Sequence, residues 1–158
     1  MVTFREATEK DTALSLKFIH ELAFYEKMID EFAVTETMFK DWFFVKKKAE
    51  VIFVCEDGKE AGLAVFFYNF STFDGDAGIY IEDLFVLPEH RHKGYGRALF
   101  KKIAEIAVER HCGRVEFMCL NWNKPSVDFY LSLGAKQMND RTLYRVDGDI
   151  LTGLAKIF

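Results

Sequence analysis

The sequence predicts a mixed α/β (α+β) fold, one sheet with helices on both faces, folded as a single domain over residues 1–158. Three observations carry this prediction. Two apolar runs, Val51–Cys55 and Ala61–Phe70, flank Asp57-Gly58, a dipeptide suited to a tight hairpin turn. A strongly amphipathic stretch, Arg97–Arg110, separates two further strand-like runs, Ile79–Leu87 and Val115–Leu120. The element order that results, βααβββαβαβ, is a hairpin followed by αβαβ, which calls for a mixed sheet covered on both sides.

Each element has a local reason. Val2–Arg5 is a short strand. Thr8 and Asp11 form a capping-box-like start to a helix whose Leu14, Phe18 and Leu22 share one stripe, and which ends near Tyr25-Glu26-Lys27. Thr35–Lys48 reads as a second helix, and Ser71–Gly78 as a polar loop. In Arg97–Arg110, Leu99, Ile103 and Ile106 face inward while Arg97, Lys101, Lys102 and Glu105 face water. Pro125 suits the first turn of a helix over Ser126–Leu133, which Gly134 would end. Strands are expected at Ala135–Met138 and Leu143–Val146, and a short helix from Ile150.

Composition narrows the classes of function. Half of the residues are apolar and 16% aromatic, which excludes disorder, and two prolines with no Ser/Gly-rich tract leave no linker. A net charge of −4 argues against nucleic acid as a partner. Met1–Lys10 is polar and charged, unlike a secretory signal, and no apolar run approaches the roughly 20 residues that span a membrane. Cys55, Cys112 and Cys119 are odd in number and lack metal-type spacing, so reduced thiols in a cytoplasmic protein are expected. His90-x-His92 reads as part of a basic loop, so no metal is expected.

The densest chemical signal is Ile79–Gly96. An apolar strand carries Glu82 and Asp83, stops at Pro88, and gives way to Arg91-His92-Lys93-Gly94-Tyr95-Gly96, which opens a helix at Arg97. Glycines, cationic side chains and a helix N-terminus together suit a pyrophosphate. The Walker ending Gly-Lys-Ser/Thr is absent, and Leu99 stands where a dinucleotide fingerprint needs a small residue. An isolated Arg-x-x-Gly-x-Gly would serve equally as a solvated loop. Glu82 and Asp83 point to opposite faces of a regular strand, and each needs a partner or an opening to water.

Preceded by this acid-bearing strand, Arg-x-x-Gly-x-Gly resembles the acetyl-CoA loop of the GNAT superfamily of N-acetyltransferases. Asn121-Trp122-Asn123-Lys124-Pro125-Ser126, Phe129-Tyr130 and Leu133-Gly134-Ala135 resemble its closing segment. Glu21–Met28 and Tyr80–Val86 look like the branch containing diamine/polyamine and thialysine acetyltransferases. The resemblance implies a mostly antiparallel sheet with a splayed central strand pair, and acetyl-CoA as acetyl donor. It implies that a small cationic amine attacks directly, with a peptide or protein amine, or a non-catalytic acyl-CoA-binding module, as alternatives. It further implies a homodimer, with the region near Asp140–Arg145 reaching the partner's cleft.

Roles follow from the same resemblance. Glu82 would take the amine proton, and Tyr130 would protonate the departing thiolate. An alkyl amine with a pKa near 10 is a free nucleophile in only about one molecule in a thousand at pH 7, so a base has work to do. The backbone of Leu84, Phe85 and Val86 would hold the acetyl and pantetheine end. Arg91, His92, Lys93, Gly94, Tyr95, Gly96 and Arg97 would hold the phosphates, with Asn123 and Ser126 on the other side of the cofactor. Tyr25, Glu26, Glu82 and Asp83 would meet the substrate. Ser71-Thr72-Phe73 departs from the polyamine enzymes, which place an acid and a Trp there, and is closer to the thialysine-type members.

Overall fold

The structure, a computed structural model, describes residues 1–157. The chain forms two compact units, Met1–Leu120 and the segment from Asn121 on.

The first unit is built on a five-stranded sheet in sequence order: β1 (Val2–Glu6), β2 (Glu50–Glu56), β3 (Lys59–Ser71), β4 (Asp76–Val86) and β5 (Val115–Phe117). All pairings are antiparallel except β4 with β5. Strand β2 is apolar at consecutive positions because both of its faces are covered. Its Val51, Phe53 and Cys55 pack against α1 (Thr12–Tyr25) and α2 (Glu36–Lys40) through Phe18, Leu22 and Phe39. Its Ile52 and Val54 pack against Leu99, Ile103 and Ile106 of α3 (Tyr95–Glu109). Phe18 meets Phe53 edge to face at 5.8 Å, and both rings are buried. Burying a side chain of this size contributes about 1.5–3 kcal/mol, so these two layers supply much of the unit's stability.

The entry to α1 follows the expected cap. Asp11 accepts from the Thr8 N–H at 2.7 Å and is also held by Arg5, which reaches across to Glu60 on β3. Three elements differ from expectation. The single helix expected over 35–48 is α2 followed by a π-helical turn, Asp41–Val45. That widened turn brings Phe43 onto Phe39 as a 3.9 Å stack and keeps Phe44 within 6.2 Å of the same ring. The loop expected at 71–78 is half strand, with a turn of four residues between Ser71 and Asp76, which pair. Strand β5 is only three residues long, so it accompanies β4 for part of its length.

In the second unit, Asn123 starts α4 (Lys124–Ser132), its side-chain oxygen accepting from the Ser126 N–H at 3.4 Å. Gly134, at φ +88°, follows the helix end as expected. α5 spans Gly148–Leu154. The strands expected at Ala135–Met138 and Leu143–Val146 do not form. A strand persists only where another strand completes its hydrogen bonds, and residues 135–147 join no ladder.

Candidate active site

The site begins with one extra residue. Phe66 of β3 pairs with Ile81, and Val65 pairs with Asp83, so Glu82 is a bulge in β4. A bulge reverses the alternation beyond it. Ile79 and Ile81 face α3, and after the bulge Leu84 and Val86 pack there while Phe85 enters the α1-side core. Asp83 goes with Phe85 to the α1 side, where it lines a cavity with Glu26. Glu82 and Asp83 would take opposite faces only of a regular strand; the bulge breaks that regularity, Glu82 is exposed, and Asp83 lines the cavity that Glu26 also borders.

Glu26, Glu82 and Asp83 form an electrostatic cluster. Burial, then the charges of Glu82 and Glu26, push Asp83 up to about 7. Glu26 is raised by burial and by Glu82. Among the described residues, no Lys, Arg or His forms an ion pair with any of the three. Glu26 and Asp83 line a cavity of about 360 Å³ that Glu31 also borders and whose remaining wall is apolar, Leu22, Met28, Phe32 and Val34 among others. Carboxylates at the edge of an apolar pocket suit an alkyl chain ending in an ammonium group. Residues 28–34 escaped the sequence reading because they form no periodic stripe. Beyond Met28, which closes the Glu21–Met28 stretch, the signal was a run of apolar side chains at Ile29, Phe32, Ala33 and Val34 outside any expected element.

The second feature is an open strand edge. Pairing of β4 with β5 ends at Ile81 with Phe117, while β4 runs on to Val86; the resemblance implies a splayed central pair, whereas β5 here is the last strand of the sheet. The Leu87 N–H donates to the Ala61 carbonyl of the β3 side, so alternation turns the N–H groups of Asp83 and Phe85 toward β3 as well. Those of Leu84 and Val86 face the open edge. Of the three residues expected to offer backbone there, Phe85 instead gives its N–H to the sheet and its ring to the core.

The loop after β4 ends at α3, whose first intrahelical bond runs from the Ala98 N–H to the Gly94 carbonyl. Gly94 takes φ +86° and His92 φ +60°, which aims the first-turn N–H groups out of the helix end. Several side chains of this loop are engaged within the protein. Arg91 Nε donates to the Val86 carbonyl at 3.0 Å, and its guanidinium lies 4.8 Å from the Tyr25 ring centre and 5.3 Å from that of Phe85. Lys93 binds Glu56 at 3.0 Å, and Tyr95 is buried. What this segment presents to an anion is backbone together with the exposed side chains of His92 and Arg97. Arg91 thereby ties it to Tyr25, at the end of α1 and next to Glu26.

Tyr130 and Ser126 lie on α4, where Tyr130 packs edge to face on Phe129 at 5.2 Å, and Asn123 caps that helix. Ser71 Oγ accepts from the Asp74 N–H at the β3–β4 turn. That turn lies six residues up β4 from Glu82, roughly 20 Å away. Among the described residues, no group of His, Cys, Asp and Glu could hold a metal ion, and no helix is long and apolar enough to cross a membrane.

Residues 15–135 match the model of the Acetyltransferase (GNAT) family. The chain belongs to that family. The thialysine N-epsilon-acetyltransferase of Sus scrofa is 32% identical over 98% of this chain and 97% of that protein. The L-ornithine N5-acetyltransferase of Arabidopsis thaliana is 37% identical over 61% of this chain and 42% of that protein. An integron cassette protein from the mobile metagenome of V. cholerae superposes with a TM-score of 0.82, at 27% identity, over 98% of each chain. This GNAT protein is an N-acetyltransferase, an enzyme that transfers an acetyl group to an amine.

Proposed function

We propose that the protein acetylates a terminal primary amine of a small, lysine-like or diamine metabolite, with acetyl-CoA as donor and no acyl-enzyme intermediate. The observation that carries this reading is the set of three carboxylates with no basic ion-pair partner among the described residues, Glu26, Glu82 and Asp83, beside a largely apolar pocket and the open edge of β4. The activities named for the relatives support the substrate class, since thialysine and ornithine are both amino acids that end in an amine.

In this reading, the ammonium group is drawn to the cluster while its alkyl chain lies along Leu22, Met28 and Phe32. Glu82, exposed at the bulge, accepts the amine proton, directly or through water. The freed lone pair attacks the thioester carbonyl, whose oxygen gains charge near the outward N–H groups of Leu84 and Val86. Backbone at Gly94–Arg97 takes the pyrophosphate, as acetyl-CoA demands of a donor loop. Tyr130 donates a proton to the departing thiolate, and Asn123 and Ser126 contact the cofactor. Glu26 and Asp83, with Tyr25 alongside, hold the acceptor's cationic end. Cys55 is buried with its thiol raised and Cys119 is raised likewise, so neither is a ready nucleophile. The active form is a homodimer, which sedimentation at micromolar concentration would show as twice the chain mass; a monomer would contradict it.

The test is thiol release from acetyl-CoA across thialysine, lysine, ornithine, putrescine, spermidine and a short peptide. Turnover of at least one free amine above the peptide supports the reading. Binding of acetyl-CoA with no turnover of any amine would leave the non-catalytic alternative standing.

A further inference from the structure

One carboxylate outside the cluster has an unusual number of donors. Glu56 is the last residue of β2, pairing with Val2 on one side and Lys59 on the other, and is thus held by strands on both sides. From there it faces the donor loop. His90 Nδ1 lies 2.6 Å from its Oε2, Lys93 Nζ lies 3.0 and 3.1 Å from its two oxygens, and the Tyr95 hydroxyl bonds to the same group. These contacts come from residues 90, 93 and 95, so one side chain grips the loop before, between and after its left-handed positions His92 and Gly94. A left-handed histidine persists only where its surroundings hold it.

We propose that Glu56 is a positioning residue for the acyl donor, holding the loop 90–95 in its anion-binding shape before the donor arrives. The inference rests on the reading that this loop takes the pyrophosphate of acetyl-CoA. Charge-assisted hydrogen bonds from Lys93 and Tyr95 fix the start of α3, so the first-turn N–H groups are already aimed when the donor binds. Because Glu56 acts through the loop, it serves donor binding and leaves the chemical step alone. Its three contacts also explain why Lys93, a cation in a phosphate loop, is turned toward the sheet.

Glu56→Gln keeps the shape and removes the charge. It is expected to weaken acetyl-CoA binding roughly tenfold by calorimetry, to leave kcat at saturating donor within about twofold, and to leave the amine KM unchanged. Amide hydrogen exchange over residues 92–97 without ligand should speed up, and adding Tyr95→Phe or Lys93→Met to Glu56→Gln should change little more. Glu60→Gln is the control: on the same hairpin, it loses the Arg5 bond at 2.6 Å and should lower thermal stability without touching donor affinity. Wild-type donor affinity and loop exchange in Glu56→Gln would overturn the proposal. So would an equal loss of donor affinity in Glu60→Gln. If the wild-type protein fails to bind acetyl-CoA, the functional reading falls, and loop exchange in Glu56→Gln still decides whether Glu56 positions the loop.

Discussion

Glu56 and Asp83 stand on the same sheet, and their surroundings drive them in opposite directions. Hydrogen bonds from Tyr95, Lys93 and His90 hold Glu56 down to about 2, whereas burial and the charges of Glu82 and Glu26 push Asp83 up to about 7. The first carboxylate has all its donors inside the protein, and it builds structure. The second has acids for neighbours, and among the described residues no cation pairs with it. A positively charged ligand is what the Asp83 site lacks and the Glu56 site already has. Sequence position alone does not separate the two, since each is an acid in an apolar strand; only their neighbours do.

The contrast can be broken most severely at Glu82. Glu82→Gln should lower turnover about 100-fold and move the rate optimum to higher pH, because only amine already deprotonated by solvent then reacts. An unchanged pH profile would assign the proton to Glu26 or Asp83 instead. On the Glu56 side, Gly94→Val forces a β-branched residue to φ +86° and should weaken donor binding tenfold or more, with little change in the amine KM. Equal effects on both substrates would mean that the two sites are not separable.

A smaller effect sharpens the comparison through stability. The folded-state carboxyl of Asp83 is raised above its unfolded value, so the stability it contributes is complete below about pH 4 and is lost as pH rises through about 7. Asp83→Asn should therefore raise the melting temperature at pH 8 and give a shrinking advantage toward pH 5. Glu56 runs the other way: its pKa is depressed, so its contribution is present at neutral pH and fades between about pH 4.5 and 2. A melting-temperature gain for Asp83→Asn that is the same at pH 5 and pH 8 would refute this assignment.

The layered fold was legible because its signals are local: the Asp57-Gly58 hairpin, the amphipathic face of α3 and the Thr8–Asp11 cap all hold. The site was legible as a set of residue types, and less so as a geometry. The bulge at Glu82 depends on how β4 registers against β3, which no residue within β4 records. Arg91 resembles a phosphate ligand by sequence, yet its guanidinium turns to Phe85 and to Tyr25, the latter distant in sequence. The Ala135–Val146 segment carries a strand's composition, and composition alone supplies no neighbour to pair with.

The most direct test of the central claim is the titration of the Asp83 side-chain carboxyl, followed by carbon-13 NMR with and without a saturating cationic diamine. The account predicts a midpoint near 7 in the free protein that falls when the diamine binds, because a neighbouring positive charge favours the carboxylate. A midpoint in the ordinary range near 4 that the diamine leaves unmoved would contradict it.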